Sequence, residues 1–228
     1  MPVSSALGPA AWPALLILAF LLGSIPFGLL IAKAKGVDIR AQGSGNIGAT
    51  NVGRVLGRRF GFLCFALDAL KGALPVLIAG WSRGLLGAPA VEMPASELWL
   101  WLLTAVISLL GHVFSPWVGF RGGKGVATGF GAFVAMWTPL TVPTLVALAV
   151  WIVTVKLSKM VSLASIVAAL SIPLALLVRC GLAEDPTSAL SASTPTLSVA
   201  AVIAILIVVK HRANIGRIMR GEELKVKA

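Results

Sequence analysis

The chain has 228 residues, of which 58% are hydrophobic and only 12% charged, and its mean hydropathy is +0.97. A soluble domain carries about 45–50% apolar and about 25% charged residues, so this composition excludes an ordinary water-soluble enzyme, a disordered chain and a disulfide scaffold. The net charge of +11 comes from 19 Lys and Arg against 8 Asp and Glu. On a soluble protein it would suggest nucleic acid; on a membrane protein it suggests basic cytoplasmic loops.

A spanning helix takes about 20 mostly apolar residues, and seven runs are candidates in chain order. The first is Trp12 to about Ala34, with Pro26 near its end as a tolerated break or kink. No Lys or Arg precedes Lys33, unlike the positive start of a secretory signal, so this run reads as a retained helix. A polar, glycine-rich segment follows from Lys35 to Arg59, then a second run, Gly61–Trp81, that contains Asp68 and Lys71. Intramembrane ionisable groups are costly and usually paired, so these two read as a pair, either lining a site or serving structure. The third run is Leu98 to about Val113, with His112 at its end. Val126–Trp137 and Leu140–Val155 are the fourth and fifth, separated by Pro139 and Pro143. Val161–Val178 and Leu197–Val209 are the sixth and seventh. The fourth is short and needs part of the flanking glycine-rich segment to cross.

The expected fold is therefore an all-α integral membrane protein with seven transmembrane helices, forming one membrane-embedded domain over residues 1–228. The alternating loops place 16 of the 19 basic residues on one side. By the positive-inside rule that side is cytoplasmic, with the N-terminus outside and the C-terminus inside. A five-span arrangement with the fourth and fifth runs re-entrant keeps the same ends. Cys64 and Cys180 form no CxxC pair and read as small buried hydrophobes. Trp12, Trp81, Trp99, Trp101 and Trp117 fall near span ends, where an aromatic belt is expected.

Four cytoplasmic segments are too polar or too glycine-rich to be plain connectors. The first, Gly43-Ser44-Gly45-Asn46-Ile47-Gly48-Ala49-Thr50-Asn51-Val52-Gly53-Arg54, combines close backbone approach, hydrogen-bonding side chains and a guanidinium fork for phosphate or carboxylate. The second, Gly119 to Gly129, includes Arg121, Gly122, Gly123 and Lys124. It lacks the spacing of a nucleotide-hydrolysing P-loop, because three residues rather than four separate Gly119 from Gly123 and Gly125 follows the lysine. Backbone N–H groups at a helix start beside Lys124 still suit an anion. The third is the turn Lys156–Ser165 with Ser158, Ser162 and Ser165, where bonding back to the helix backbone is the commoner role. The fourth is His211-Arg212-Ala213-Asn214-Ile215-Gly216-Arg217, in which His211 and Asn214 share a helix face. Two histidines and few carboxylates offer no metal cluster, and there is no GxSxG elbow. The residues alone describe a membrane protein with a cytoplasmic site for small phosphates, either an enzyme or a transporter of organic phosphate. No internal repeat supports the transporter.

The first and fourth of these, Gly43 to Arg54 and His211 to Gly216, with Gly23-Ser24-Ile25-Pro26-Phe27-Gly28, Asp68-Ala69-Leu70-Lys71-Gly72 and Gly111-His112 through Gly125, resemble the bacterial acyl-phosphate-dependent glycerol-3-phosphate acyltransferases, the PlsY family. The likeness covers essentially the whole chain in order, with Ile47 where the family usually has proline. It implies a seven-helix enzyme of the bacterial cytoplasmic (inner) membrane with its active site on the cytoplasmic face. Such an enzyme moves a fatty acyl group from acyl phosphate to the 1-hydroxyl of glycerol 3-phosphate, giving lysophosphatidate and phosphate. It implies no cofactor, no metal, no acyl-CoA and no nucleic acid, with membrane lipid as surroundings and a monomer as the expected state. Related glycerolipid acyltransferases use His-x4-Asp; here His112 leads to Trp117 and His211 to Gly216, which fits a pre-activated donor. The resemblance assigns catalysis to Ser44, Lys124, His211 and Asn214. Substrate binding falls to these four with Asn46, Thr50, Asn51, Arg54, Gly122, Gly123 and Ser162.

Overall fold

The structure is a computed structural model that describes residues 7–226, and its regular elements are helices throughout. Six stretches are long and apolar enough to cross a membrane: Pro9–Ala34, Arg58–Ser82, Ala95–Val118, Thr141–Ser158, Val161–Gly181 and Pro186–Lys210. The expected fourth run is different. It forms a nine-residue helix, Val126–Val134, about 13.5 Å long against a hydrocarbon core of about 30 Å. The chain divides into two compact units, one of residues up to 86 with 103–136 and one of residues 87–102 with 137 onward.

In the first unit, α1 (Trp12–Ser24) and α2 (Phe27–Ala34) are two halves of one apolar run. Pro26 separates them because it has no N–H and holds Ile25 out of the helical region, at ψ 120°. In hydrocarbon an unsatisfied carbonyl costs several kcal/mol, so a broken helix has to find donors nearby. Here the Ser115 hydroxyl donates to the Ser24 carbonyl at 2.6 Å, and the Lys71 ammonium donates to the Ile25 carbonyl. Trp117 Nε1 donates to the Ser24 hydroxyl at 2.9 Å. Lys71 lies on α4 (Arg58–Ser82), one turn from Asp68, and its Nζ is 2.7 Å from the Asp68 carboxylate with both side chains about 3% exposed. The polar pair in the second run is thus also the repair of the break in the first.

Small residues let the other elements of this unit approach. A Cβ on Gly23 would fall 2.1 Å from the Ser108 carbonyl of α5 (Ala95–Val113). The short α6 (Val126–Val134) lies against α4 in the same manner, with Gly72 facing the Thr128 carbonyl and Gly131 facing that of Ala69. This is the small-residue packing of membrane helices, and it shields a helix too short to span alone. A satellite core of Ala32, Ile39, Ile47, Val52, Cys64 and Val118 fixes α3 (Ala49–Leu56) and the glycine-rich segment before it.

In the second unit, α8 (Val161–Gly181) packs against both α7 (Thr141–Ser158) and α9 (Pro186–Lys210). The seventh run, expected from Leu197, starts instead at Pro186. Asp185 caps that helix by accepting from the amides of Thr187 and Ser188, and Pro186 sits at its first position, where a missing N–H costs nothing. A short α10 (Arg212–Met219) follows His211. Cys64 and Cys180 are buried free thiols, as expected. Trp81, Trp99 and Trp117 are exposed as belt residues should be, but Trp12 and Trp101 are buried and belong to the core.

The helix contacts make a direct prediction. Gly72→Ala sets a methyl group 2.1 Å from a backbone carbonyl, an overpacking worth about 1–3 kcal/mol. The unfolding midpoint in detergent should fall by several degrees, whereas Gly181→Ala, which meets nothing within 4 Å, should leave it unchanged.

Candidate active site

The first unit carries two glycine-rich loops. In the one before α3, Asn51 is 1% exposed and its side chain is spent on the loop itself. Its Oδ1 accepts from the Ser44 amide at 2.8 Å, and its Nδ2 donates to the carbonyls of Gln42 at 3.0 Å and Ile39 at 3.3 Å. Gly43 is needed for this fold-back, since φ is +59° and a Cβ would lie 2.2 Å from Asn51 Oδ1. Asn46 Oδ1 accepts from the Gly48 amide at 2.8 Å. The two asparagines therefore shape the loop, while Ser44, Thr50 and Arg54 stand exposed on it. The sequence pattern had grouped all five as ligand-facing.

The second loop follows a turn at Pro116–Val118 and enters α6 through Gly125, which is left-handed at φ +84°. No strand precedes it, in agreement with the rejection of a P-loop. The Gly122 amide donates to the Val113 carbonyl at 3.1 Å, folding the loop back over the end of α5. Gly122 and Lys124 are half-buried and Gly123 is buried.

The second unit brings together Ser162, His211 and Asn214, all buried. His211 Nδ1 lies 2.8 Å from the Ile207 carbonyl, one turn back on α9. A carbonyl only accepts, so Nδ1 carries a proton, and in the neutral ring the basic lone pair is on Nε2. Asn214 Nδ2 donates to Glu223 at 2.6 Å, and Arg217 Nε donates to the other oxygen of that carboxylate at 2.8 Å. The Val226 amide donates to the Lys159 carbonyl at 2.8 Å, which ties the tail to the turn before α8. Ser158 and Ser165 donate back to Thr154 and Val161, the ordinary fate of helix serines. Ser162 instead contributes to the surroundings of Glu223.

Glu223 and Arg217 were missed as site neighbours because the tail reads only as a basic segment. The available signal was an acidic pair, Glu222-Glu223, directly after Gly221 in that run of cations. Burial pushes the Glu223 carboxyl up, but hydrogen bonds from Asn214 and Arg217, the nearby Ser162 hydroxyl and the charge of Arg217 hold it below the usual value. Such a group stabilises fully above its unfolded pKa of about 4.3, and the stabilisation is lost as pH falls through its lower folded value. The unfolding midpoint of the parent should exceed that of Glu223→Gln at pH 7, and the gap should close on acidification below about pH 4. A gap that stays constant on acidification would contradict an ionised Glu223. Among the described residues no three His, Cys, Asp or Glu side chains group as metal ligands.

Known proteins match nearly the whole chain. The family model for glycerol-3-phosphate acyltransferase matches residues 13–221. The glycerol-3-phosphate acyltransferase of Geotalea daltonii is 46% identical over 211 residues, covering 92% of this chain and 94% of the relative. That of Aquifex aeolicus is 43% identical over 209 residues, covering 92% and 96%. Among solved structures, PlsY, an integral membrane glycerol 3-phosphate acyltransferase, superposes in its glycerol 3-phosphate form with a TM-score of 0.79 and 41% identity, covering 95% of this chain and 96% of that one. Its lysophosphatidic acid form superposes with a TM-score of 0.77 and 40% identity. With apolar helices long enough to span and a match along nearly its full length, the chain belongs to the glycerol-3-phosphate acyltransferase family of integral membrane acyltransferases.

Proposed function

We propose that this protein transfers a fatty acyl group from acyl phosphate to the 1-hydroxyl of glycerol 3-phosphate, releasing lysophosphatidate and phosphate as the first step of phospholipid synthesis. The observation that carries the reading is the likeness to a solved relative in both a glycerol 3-phosphate form and a lysophosphatidic acid form, at 41% and 40% identity. The choice of acyl phosphate rests on the family resemblance and on the lack of a His-x4-Asp pair at either histidine. An acyl phosphate is already activated and needs less help in expelling its leaving group than a thioester-dependent site supplies.

In this reading Arg54 and Lys124 hold phosphate charge, and the glycine-rich loops receive the donor phosphate, Gly123 by close backbone approach and Gly122 by anchoring the loop through its amide to Val113. Ser44, Ser162, His211 and Asn214 orient glycerol 3-phosphate, while Thr50, Asn46 and Asn51 complete and shape the first loop. The acceptor hydroxyl attacks the acyl carbonyl, the bond from that carbon to the phosphate oxygen breaks, and phosphate leaves with the bonding pair. The hydroxyl proton passes to the acceptor's own phosphate, whose second pKa is about 6, and His211 holds the acceptor in line. Held geometry and charge stabilisation supply the rate, with no cofactor and no acyl-enzyme.

The same reading completes the topology. The segments flanking α6 bring the fourth run across the membrane, giving seven passages with the N-terminus outside and the C-terminus inside. The whole chain then acts as one catalytic domain and as a monomer, in the cytoplasmic membrane of a bacterium, with the site on the cytoplasmic face. The support is the charge distribution, with 16 of 19 basic residues assigned to one side.

The purified protein in detergent, given acyl phosphate and glycerol 3-phosphate, should release phosphate and lysophosphatidate in equal amounts, and acyl-CoA should not replace the donor. Absence of product, or product from acyl-CoA alone, would overturn the proposal. Lys124→Ala should lower kcat/KM by about 10²–10³, the usual cost of removing a charge-stabilising group. His211→Gln should cost about tenfold or less, since a true general base is worth about 10²–10⁴.

A further inference from the structure

Among the buried ionisable groups of the first unit that the proposed reaction leaves unused are Asp68, Lys71 and His112, all no more than 5% exposed. Lys71 and Asp68 repair the helix break, but His112 has no part in that. Its Nδ1 lies 3.8 Å from Asp68 Oδ1, so one buried carboxylate faces both the ammonium and the imidazole. The far edge of the ring lies under the second glycine-rich loop. A Cβ built on Gly123 would fall 2.2 Å from His112 Nε2, and one on Gly122 would fall 1.9 Å from the His112 carbonyl. Leu109, one turn earlier on α5, fills the same place under Gly125, at 2.3 Å from its Cβ position. The loop that carries Lys124 is thus laid on a floor made by α5, and the middle of that floor is an imidazole facing Asp68.

An apolar side chain could fill that volume without the cost of burying a polar ring. What the imidazole adds is a rigid plane with its charge-bearing edge toward Asp68, at 3.8 Å, an electrostatic and not a hydrogen-bond distance, and its far edge packed under Gly123. A site holds its geometry only where the groups beneath it are themselves locked. We infer that His112, faced by Asp68, is a positioning residue that sets the height and course of the Gly122–Lys124 backbone for the phosphate of the acyl donor. It acts through the loop and does not touch substrate. The inference rests on the reading of that loop as the donor-phosphate site.

The test is a kinetic comparison of the full-length enzyme with the variants His112→Ala, His112→Gln, Gly123→Ala and the double His112→Ala/Gly123→Ala. KM for acyl phosphate, KM for glycerol 3-phosphate, kcat and the unfolding midpoint are measured for each. His112→Ala and Gly123→Ala should each raise KM for acyl phosphate at least tenfold, with kcat and the acceptor KM within threefold of the parent. The double variant, in which the added methyl meets no ring, should recover at least threefold over Gly123→Ala alone. His112→Gln, which keeps polar reach toward Asp68, should lie closer to the parent than His112→Ala does. If Gly123→Ala does not fold, the two single His112 variants decide the matter by themselves. Donor KM within twofold of the parent in folded His112→Ala would overturn the inference. So would both KM values, kcat and the midpoint shifting together, as for a merely structural residue. Lys124→Ala separates the two levels: if it raises donor KM and His112→Ala does not, only the positioning role fails. If neither raises it, the loop is not the donor-phosphate site.

Discussion

A helix broken inside hydrocarbon has to recover its lost hydrogen bonds from protein, and much of the first unit follows from that single requirement. Pro26 ends α1, leaving the Ser24 carbonyl without a helical partner and the Ile25 carbonyl with the Phe27 amide at 3.1 Å on one lone pair and the other open. Ser115 takes the first and Lys71 the second. A buried ammonium is costly without a counter-charge, so Asp68 one turn away is required as well. The donors that close the break are also the residues that anchor the glycine-rich loop. Ser115 and Trp117 tie down its entry, and His112, facing the same Asp68, lies beneath its middle. Polar residues inside the bundle therefore do not compete with the fold. They hold the second glycine-rich loop in place.

The second unit reaches a comparable result by a different route. Its site residues sit at helix ends, where backbone groups are unsatisfied in any case. His211 closes α9 and begins α10, so its ring bonds back to Ile207 and its tautomer is set by a carbonyl. Asn214 and Arg217, three residues apart on α10, share the Glu223 carboxylate, and this folds the basic tail back toward the start of α8. The net charge of +11 consequently has at least three uses. In the proposed topology most of it biases orientation, Arg217 binds Glu223 in the tail, and Arg54 and Lys124 supply charge to the proposed phosphate sites.

The apolar runs were legible because a span of hydrocarbon imposes its length on the sequence. Their ends were less so, since an end is set by local chemistry. Asp185 and Pro186 start α9 well before the hydrophobic run begins, through a cap that hydropathy does not register. The short α6 is held against α4 through Gly72 and Gly131, a pairing no single-sequence pattern reveals. In the loops, residue type announced a polar site but not the division of labour. Asn51 and Asn46 look like ligand groups and are spent on backbone amides, whereas Glu223 looks like an incidental acid and is the partner of Asn214. Trp12 and Trp101 fit an interfacial belt by position and are buried by packing. Pairings between residues far apart in sequence are what the fold adds.

The account's central claim is that the acyl group passes directly from acyl phosphate to the acceptor hydroxyl, without resting on the protein. Isotope exchange tests this most directly. The purified enzyme is incubated with unlabelled acyl phosphate and ³²P-labelled inorganic phosphate in the absence of glycerol 3-phosphate. Direct transfer predicts that no label enters acyl phosphate, because the bond to phosphate breaks only as the acceptor attacks. Labelled acyl phosphate formed at a rate comparable to turnover would require an acyl-enzyme and would contradict the account.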